Sequence, residues 1–314
     1  MSNKPALPRP IDITAALAAP RPCIDFVVPG LPVGAVASVV GSGGVGKSFF
    51  ALQVAVAVAA GHAWVYDLLH GPGQPAKKPA PAKVVLVLGE ESREMTILRL
   101  HQVVDHHASN AKERKTLMDR LAGNLSLYAL AGGPRLLLDD YSEDAHGVEE
   151  LASMCAGARL VILDPLRRFH IGEENDSLHM TNTVEVCERL GHRIRSATMV
   201  THHTTKLSTV TATAERSAAS RGSTALTDGV RLQVNLSALD SAMAKAYRIG
   251  EDRSARCVRV DVAKANYISD GHRGVLSRTH EGVLVPVPVP DGASLQVETA
   301  PVKPQRASRK SKGV

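Results

Sequence analysis

Aromatic side chains are scarce: four Phe, five Tyr and one Trp among 314 residues, 3% of the chain. That scarcity argues against a base-stacking platform of the kind single-strand-binding folds use, so any grip on a polynucleotide falls on its phosphate backbone. Cysteine is scarce too. Cys23, Cys155, Cys187 and Cys257 show neither C-x-x-C spacing nor the density of a disulfide scaffold, which predicts buried free thiols. No apolar run approaches a membrane span, Val54 to Ala60 being among the longest, and Met1-Ser2-Asn3-Lys4-Pro5 opens no signal-peptide core. The expectation is a cytoplasmic protein with no membrane partner. Acids are absent from the last residues, 302–314, which carry Lys303, Arg306, Arg309, Lys310 and Lys312. Taking these five from the net charge of +6 leaves +1 for the rest, so a nearly neutral body ends in a basic tail.

One dense motif is present. Gly41-Ser42-Gly43-Gly44-Val45-Gly46-Lys47-Ser48 fits G-x-x-x-x-G-K-[ST] at every fixed position, after the apolar run Ala35 to Val40 and before an apolar stretch from Phe49. Glycines let consecutive backbone N–H groups turn inward onto phosphate oxygens, and the helix that follows adds the positive end of its dipole. Lys47 then reaches the β- and γ-phosphates, and Ser48 offers Mg²⁺ a hydroxyl. The pattern implies ATP with Mg²⁺, held by Gly41, Gly43, Gly44, Val45, Gly46, Lys47 and Ser48.

Around this motif the chain alternates strand and helix patterns. Ile24 to Val28, Gly34 to Val40, Val84 to Leu88, Leu160 to Leu163 and Ala197 to Thr201 read as strands; Ser48 to Gly61, Ser92 to His107, Val148 to Ala156 and Thr181 to Ser196 read as helices. Ile11 to Ala19 suits one short helix in an otherwise loose Pro/Ala arm over 1–20. Strands that are continuous apolar runs are buried on both faces, which predicts an α/β fold with a predominantly parallel, doubly wound sheet and helices on both faces. Prolines and glycines from Gly71 to Pro81 mark a surface loop. One domain over 21–290 and a basic, disordered tail over 291–314 complete the organisation.

Three strands end in polar residues on one rim, where such sheets bind ligands. Asp164, closing Leu160 to Leu163, has the Walker B pattern and orients Mg²⁺ with Ser48, directly or through water. Glu90, after Val84 to Leu88, is the candidate general base that aligns the attacking water, with Glu91 pointing away. His203, in His202-His203, is placed to sense the γ-phosphate, since a neutral imidazole both donates and accepts. Neither that pair nor the group His101, Asp105, His106 and His107 is accompanied by further ligands at zinc spacing. Arg167 and Arg168 follow Asp164, and Lys206, Arg216 and Arg221 lie in a Thr/Ser-rich stretch, which puts two basic loops on one face, suited to a phosphate backbone or to surface ion pairs. On the residues alone Arg221 and Arg231 are equal candidates for a further cation at the site.

Longer matches are specific. Leu163-Asp164-Pro165-Leu166-Arg167-Arg168-Phe169-His170-Ile171, His202-His203 followed by Lys206, Ala219-Ser220-Arg221-Gly222-Ser223, Ala263-Lys264-Ala265-Asn266-Tyr267 and the tail from Arg309 to Val314 resemble the RepA replicative helicases of broad-host-range IncQ-type plasmids. The resemblance runs from about Ile11 to the C-terminus. It implies a RecA-like P-loop NTPase core, a homohexameric ring hydrolysing ATP between subunits, and 5′ to 3′ movement on single-stranded DNA. A plasmid origin-binding protein and a primase are its implied partners. By position it assigns Lys47 and Ser48 to the P-loop, Glu90 to the catalytic glutamate, Asp164 to the Walker B acid, His203 to the sensor and Arg231 to an arginine finger inserted by a neighbouring subunit. Two departures stand out: the 71–81 loop is an insertion, and Pro165 replaces a threonine. Two other readings remain open: a regulatory or recombination ATPase that binds DNA without displacing a strand, and a nucleotide-dependent binding module.

Overall fold

The computed structural model describes residues 9–64, 80–133, 138, 146–170, 173–174, 176–203, 224–268 and 273–288. Lys206, Arg216, Arg221, most of the 71–81 insertion and the basic tail lie outside them.

A short helix α1 (Ile13–Ala18), capped by Asp12 and burying no residue, precedes a small hairpin of β1 (Phe26–Val28) and β2 (Leu31–Pro32). The chain then enters the main sheet at β3 (Val36–Gly41), followed by α2 (Lys47–Ala60), β4 (Val84–Leu88), α3 (Arg93–His107), α4 (Ala111–Asn124) and β5 (Leu125–Ala129). Next come α5 (His146–Met154), β6 (Leu160–Asp164), a short 3-10 turn Leu166–Arg168, α6 (Ser177–Ile194), β7 (Ala197–His203), α7 (Thr224–Gly229) and β8 (Leu232–Ala238). Two short helices, α8 (Ser241–Ala246) and α9 (Glu251–Ser254), lead into β9 (Cys257–Ala265), β10 (Arg273–Arg278) and β11 (Leu284–Pro286).

The sheet has nine strands in the order β11-β10-β9-β8-β3-β7-β6-β4-β5. From β8 to β5 every pairing is parallel, and β9 to β11 extend the sheet antiparallel. The expected mostly parallel sheet is therefore present, with an antiparallel extension that the apolar runs do not announce. Alternation along each strand divides the core: Val84, Leu86, Leu160 and Ile162 pack with α2, α3 and α4, whereas Val85, Val87, Val161 and Leu163 pack with α5, α6 and α7. Helices cover both faces, as the pattern predicts.

Helix α2 is apolar all round because it is enclosed all round: every residue from Phe50 to Ala60 is buried. Its one internal polar group, Gln53, exchanges two hydrogen bonds with the Leu284 backbone, donating to the carbonyl and accepting from the N–H, each 2.9 Å. A buried amide so satisfied fixes the β10–β11 hairpin against the helix that follows the P-loop.

Three of the four cysteines are buried and Cys23 is exposed, so the expectation of buried thiols fails at that position, which lies in the extended segment before β1. All four are free. Burial pushes the Cys155 and Cys187 thiols up to about 12. Among the described residues no helix is long and apolar enough to cross a membrane.

Candidate nucleotide site

The cleft lies where the topology opens. Strand β3 leads through α2 to β4, and in the sheet β7 and β6 stand between those two strands. The C-terminal ends of β3, β7, β6 and β4 thus converge on the crevice that open α/β sheets use for ligands. It has a volume of about 430 Å³ and is lined by Gly44, Gly46, Lys47 and Ser48 together with Glu90, Asp164 and His203. Four strand or helix ends that are distant in sequence are brought together as expected.

Gly46 caps α2 with φ 110°, a left-handed conformation that a residue with a Cβ resists. Lys47, the first helical residue, is 5% exposed, and its Nζ donates to the carbonyls of Gly41 (2.7 Å) and Ser42 (2.9 Å). The same ammonium stands 3.1 Å from His203 Nδ1, which accepts its hydrogen bond and so leaves the ring proton on Nε2. Burial and the neighbouring Lys47 charge push the His203 imidazole below the ordinary histidine range, against the pull of Glu90 and Asp164.

Asp164 is 3% exposed, accepts a hydrogen bond at Oδ1 from the Thr201 hydroxyl, and through its carbonyl accepts one from the Gly89 N–H at 2.8 Å. Its peptide bond to Pro165 is cis. Glu90 follows β4, and its Oε1 accepts from Arg168 Nε at 2.9 Å. Gly89 makes that approach possible, because a Cβ there would stand 2.6 Å from Arg168 Cβ. Arg168, expected among the DNA contacts, is thus engaged with the candidate catalytic glutamate; both it and Arg167 are exposed on the same turn. Glu91 pairs with Arg99 at 2.8 Å; Glu90 and Arg99 line the cleft and Glu91 is not among its lining residues.

Sequence reasoning missed four contributors. Arg278 at the end of β10 donates to the carbonyls of Gly44 (3.1 Å) and Val45 (2.8 Å), clasping the P-loop from the hairpin. Arg99 stacks 5.2 Å from the Phe49 ring centre at the cleft wall, and Gly282 closes the wall beside them. Thr201 was hidden inside an apolar run.

These groups fit a Mg²⁺–nucleotide. A Cβ at Gly43 or Gly44 would meet no atom within 4 Å, so open space lies before the loop, and Ser48 and Asp164 offer the hard oxygens that Mg²⁺ prefers.

Burial pushes the Lys47 ammonium down to about 8, against the pull of Asp164 and Glu90. Its folded value lies below its ordinary value of 10.5, so the unfolded chain binds more protons between the two, and this group makes stability rise with pH across that window. Nucleotide affinity, which uses the charged form, runs the other way. Titration with a fluorescent nucleotide should show affinity roughly level below pH ~8 and falling toward about tenfold per pH unit above it. A flat profile would contradict this placement of the charge.

Arg231 sits elsewhere. It immediately precedes β8, whose Leu232 pairs with Ala37 and whose Leu236 pairs with Gly41, so along the strand direction it stands about 16 Å from the P-loop end of the sheet. Its side chain lines a second cleft of about 470 Å³ with Glu185, Glu188 and Asp228. Lys264 holds the turn before it, donating to the carbonyls of Thr227 (2.9 Å) and Asp228 (2.8 Å). His202, on the face of β7 opposite His203, is buried 3.7 Å from Glu174, and burial pushes it down to about 4.

Solved structures share this architecture. An ATPase domain aligns with a TM-score of 0.53 at 13% identity, over 80% of this chain and 84% of that one. A DnaB-like replicative helicase, solved with attention to its interactions with primase, aligns with a TM-score of 0.50 at 14% identity, over 80% of this chain and 57% of that one. At such identities the likeness establishes the RecA-like P-loop fold. Residues 3–209, more than half of the sequence and including the P-loop, Glu90, Asp164 and His203, match the AAA domain family, and the chain belongs to that family of ATPases.

Proposed function

We propose that this ATPase is the motor of a replicative DNA helicase of the IncQ-plasmid type, a homohexameric ring that moves 5′ to 3′ on single-stranded DNA. The observation that carries the shared-site part is the position of Arg231. It stands too far along β8 to serve the P-loop of its own subunit, yet it ends a well-held turn as an inserted finger would. Two subunits packed cleft to finger would complete one site at their contact, and repetition of that heterologous contact gives a ring where its rotation closes. The sequence resemblance and the shared fold with a DnaB-like replicative helicase support DNA as the track.

In this reading the P-loop N–H groups and Lys47 hold the triphosphate, and Ser48 and Asp164 hold Mg²⁺, which when bound neutralises charge on the phosphate oxygens. Glu90 aligns the attacking water and accepts its proton. The partner's Arg231 stabilises charge developing toward the leaving group. His203, on the end of β7, passes the state of the site to the segment after it, and Arg167 with Lys206, Arg216 and Arg221 takes the DNA backbone. Arg168 shares the rim while it positions Glu90. A plasmid origin-binding protein and a primase are the proposed partners.

Strand displacement tests the reading. A duplex with a 5′ single-stranded tail should be unwound in the presence of ATP and Mg²⁺, and one with only a 3′ tail should not. ATP hydrolysis stimulated by DNA with no displacement from either substrate would instead support a DNA-dependent ATPase that does not unwind.

A further inference from the structure

Strand β7 stands between β3, which delivers Lys47, and β6, which delivers Asp164. Residues two apart on a strand share a face. Thr201 and His203 are such a pair: the Thr201 hydroxyl donates to Asp164 Oδ1, and His203 Nδ1 accepts from Lys47 Nζ at 3.1 Å. One face of one strand end therefore contacts both the carboxylate of Asp164 and the ammonium of Lys47. Thr201 is 0% exposed and Asp164 is 3% exposed, so the carboxylate lies where solvent does little to orient it and a fixed donor does much.

We infer that Thr201 is a positioning residue for the Mg²⁺-binding carboxylate: its hydroxyl occupies Oδ1 of Asp164 and thereby presents Oδ2 to the Mg²⁺–nucleotide. The inference rests on the Mg²⁺–nucleotide reading of the cleft. It gives Thr201 no contact with substrate; it acts through Asp164. Groups that orient a metal ligand from behind tune metal affinity strongly: their loss typically costs about 10–100-fold, and the low end, about tenfold, is expected for one hydroxyl.

The test uses the full chain and reads binding, not turnover. A fluorescent ATP analogue is titrated at a series of Mg²⁺ concentrations and again in EDTA, with thermal melting to establish that each variant is folded. Thr201→Val removes the donor at nearly constant shape, and Thr201→Ser keeps it. The expected result is a Mg²⁺ half-saturation raised about tenfold in Thr201→Val, a wild-type value in Thr201→Ser, and unchanged affinity in EDTA for both. If valine disturbs packing, Thr201→Ala replaces it with the same expectation. Folded Thr201→Val or Thr201→Ala with wild-type Mg²⁺ dependence overturns the inference, as does Thr201→Ser impaired equally with Thr201→Val, which assigns the effect to packing of the methyl group. Wild-type protein whose nucleotide affinity ignores Mg²⁺ overturns the reading of the cleft itself, and is recognised because all variants then behave alike.

Discussion

Arg231→Ala should lower ATP turnover by about 10³-fold, the low end of what a finger supplied in trans contributes, while nucleotide binding by the P-loop is kept. The reason is geometric. Arg231 precedes β8 at the end of the sheet remote from Lys47, so its removal leaves the subunit's own cleft intact. Mixing distinguishes this from a folding defect. Lys47→Ala subunits lack a working cleft but keep the finger, and Arg231→Ala subunits keep the cleft but lack the finger. Each is expected to be nearly inactive alone, and mixed assemblies should regain turnover because some interfaces contain one good half from each. An intact Arg231→Ala assembly that hydrolyses ATP at the wild-type rate, or mixtures that regain nothing, would contradict the shared site.

Glu90→Gln should cost about 10²- to 10³-fold in single-turnover hydrolysis, within the range for a positioned general base. The amide keeps the shape of the carboxylate and loses its ability to take a proton. Stability should change little, because the Glu90–Arg168 pair is about half-exposed on both sides and such pairs are screened. Bound ATP should therefore persist in a folded protein. Wild-type hydrolysis by Glu90→Gln would remove the glutamate from the chemistry. Glu91 is not a ready substitute, since Glu90 lines the cleft and Glu91 does not.

What the sequence made legible follows the physics of burial. Val84 to Leu88 and Leu160 to Asp164 are buried on both faces along their whole length, so each is a continuous apolar run that ends where its polar site residue begins. Helix α4, Ala111–Asn124, was missed because it is rich in charged residues and buries only Leu121. The edge strand β5, Leu125–Ala129, is only partly buried throughout and so carries a weak signal. Strand β9 did carry one: Val258 to Val262 alternates buried and half-exposed residues, the antiparallel pattern, and it was passed over. Arg278 had no local signal, because its partner loop lies more than 230 residues away and only folding of the hairpin onto α2 brings them together. Arg231 could not be separated from Arg221 by its neighbours in sequence; the resemblance chose it, and its place before β8 supplies the physical argument.

The most direct test of the account is ATP hydrolysis per subunit measured across protein concentration, with and without single-stranded DNA. A site completed between subunits predicts a steep rise in specific rate over the concentrations where assembly occurs, and a further rise with DNA. A specific rate that stays constant through assembly and ignores DNA would contradict the shared-site motor and leave a nucleotide-binding module in its place.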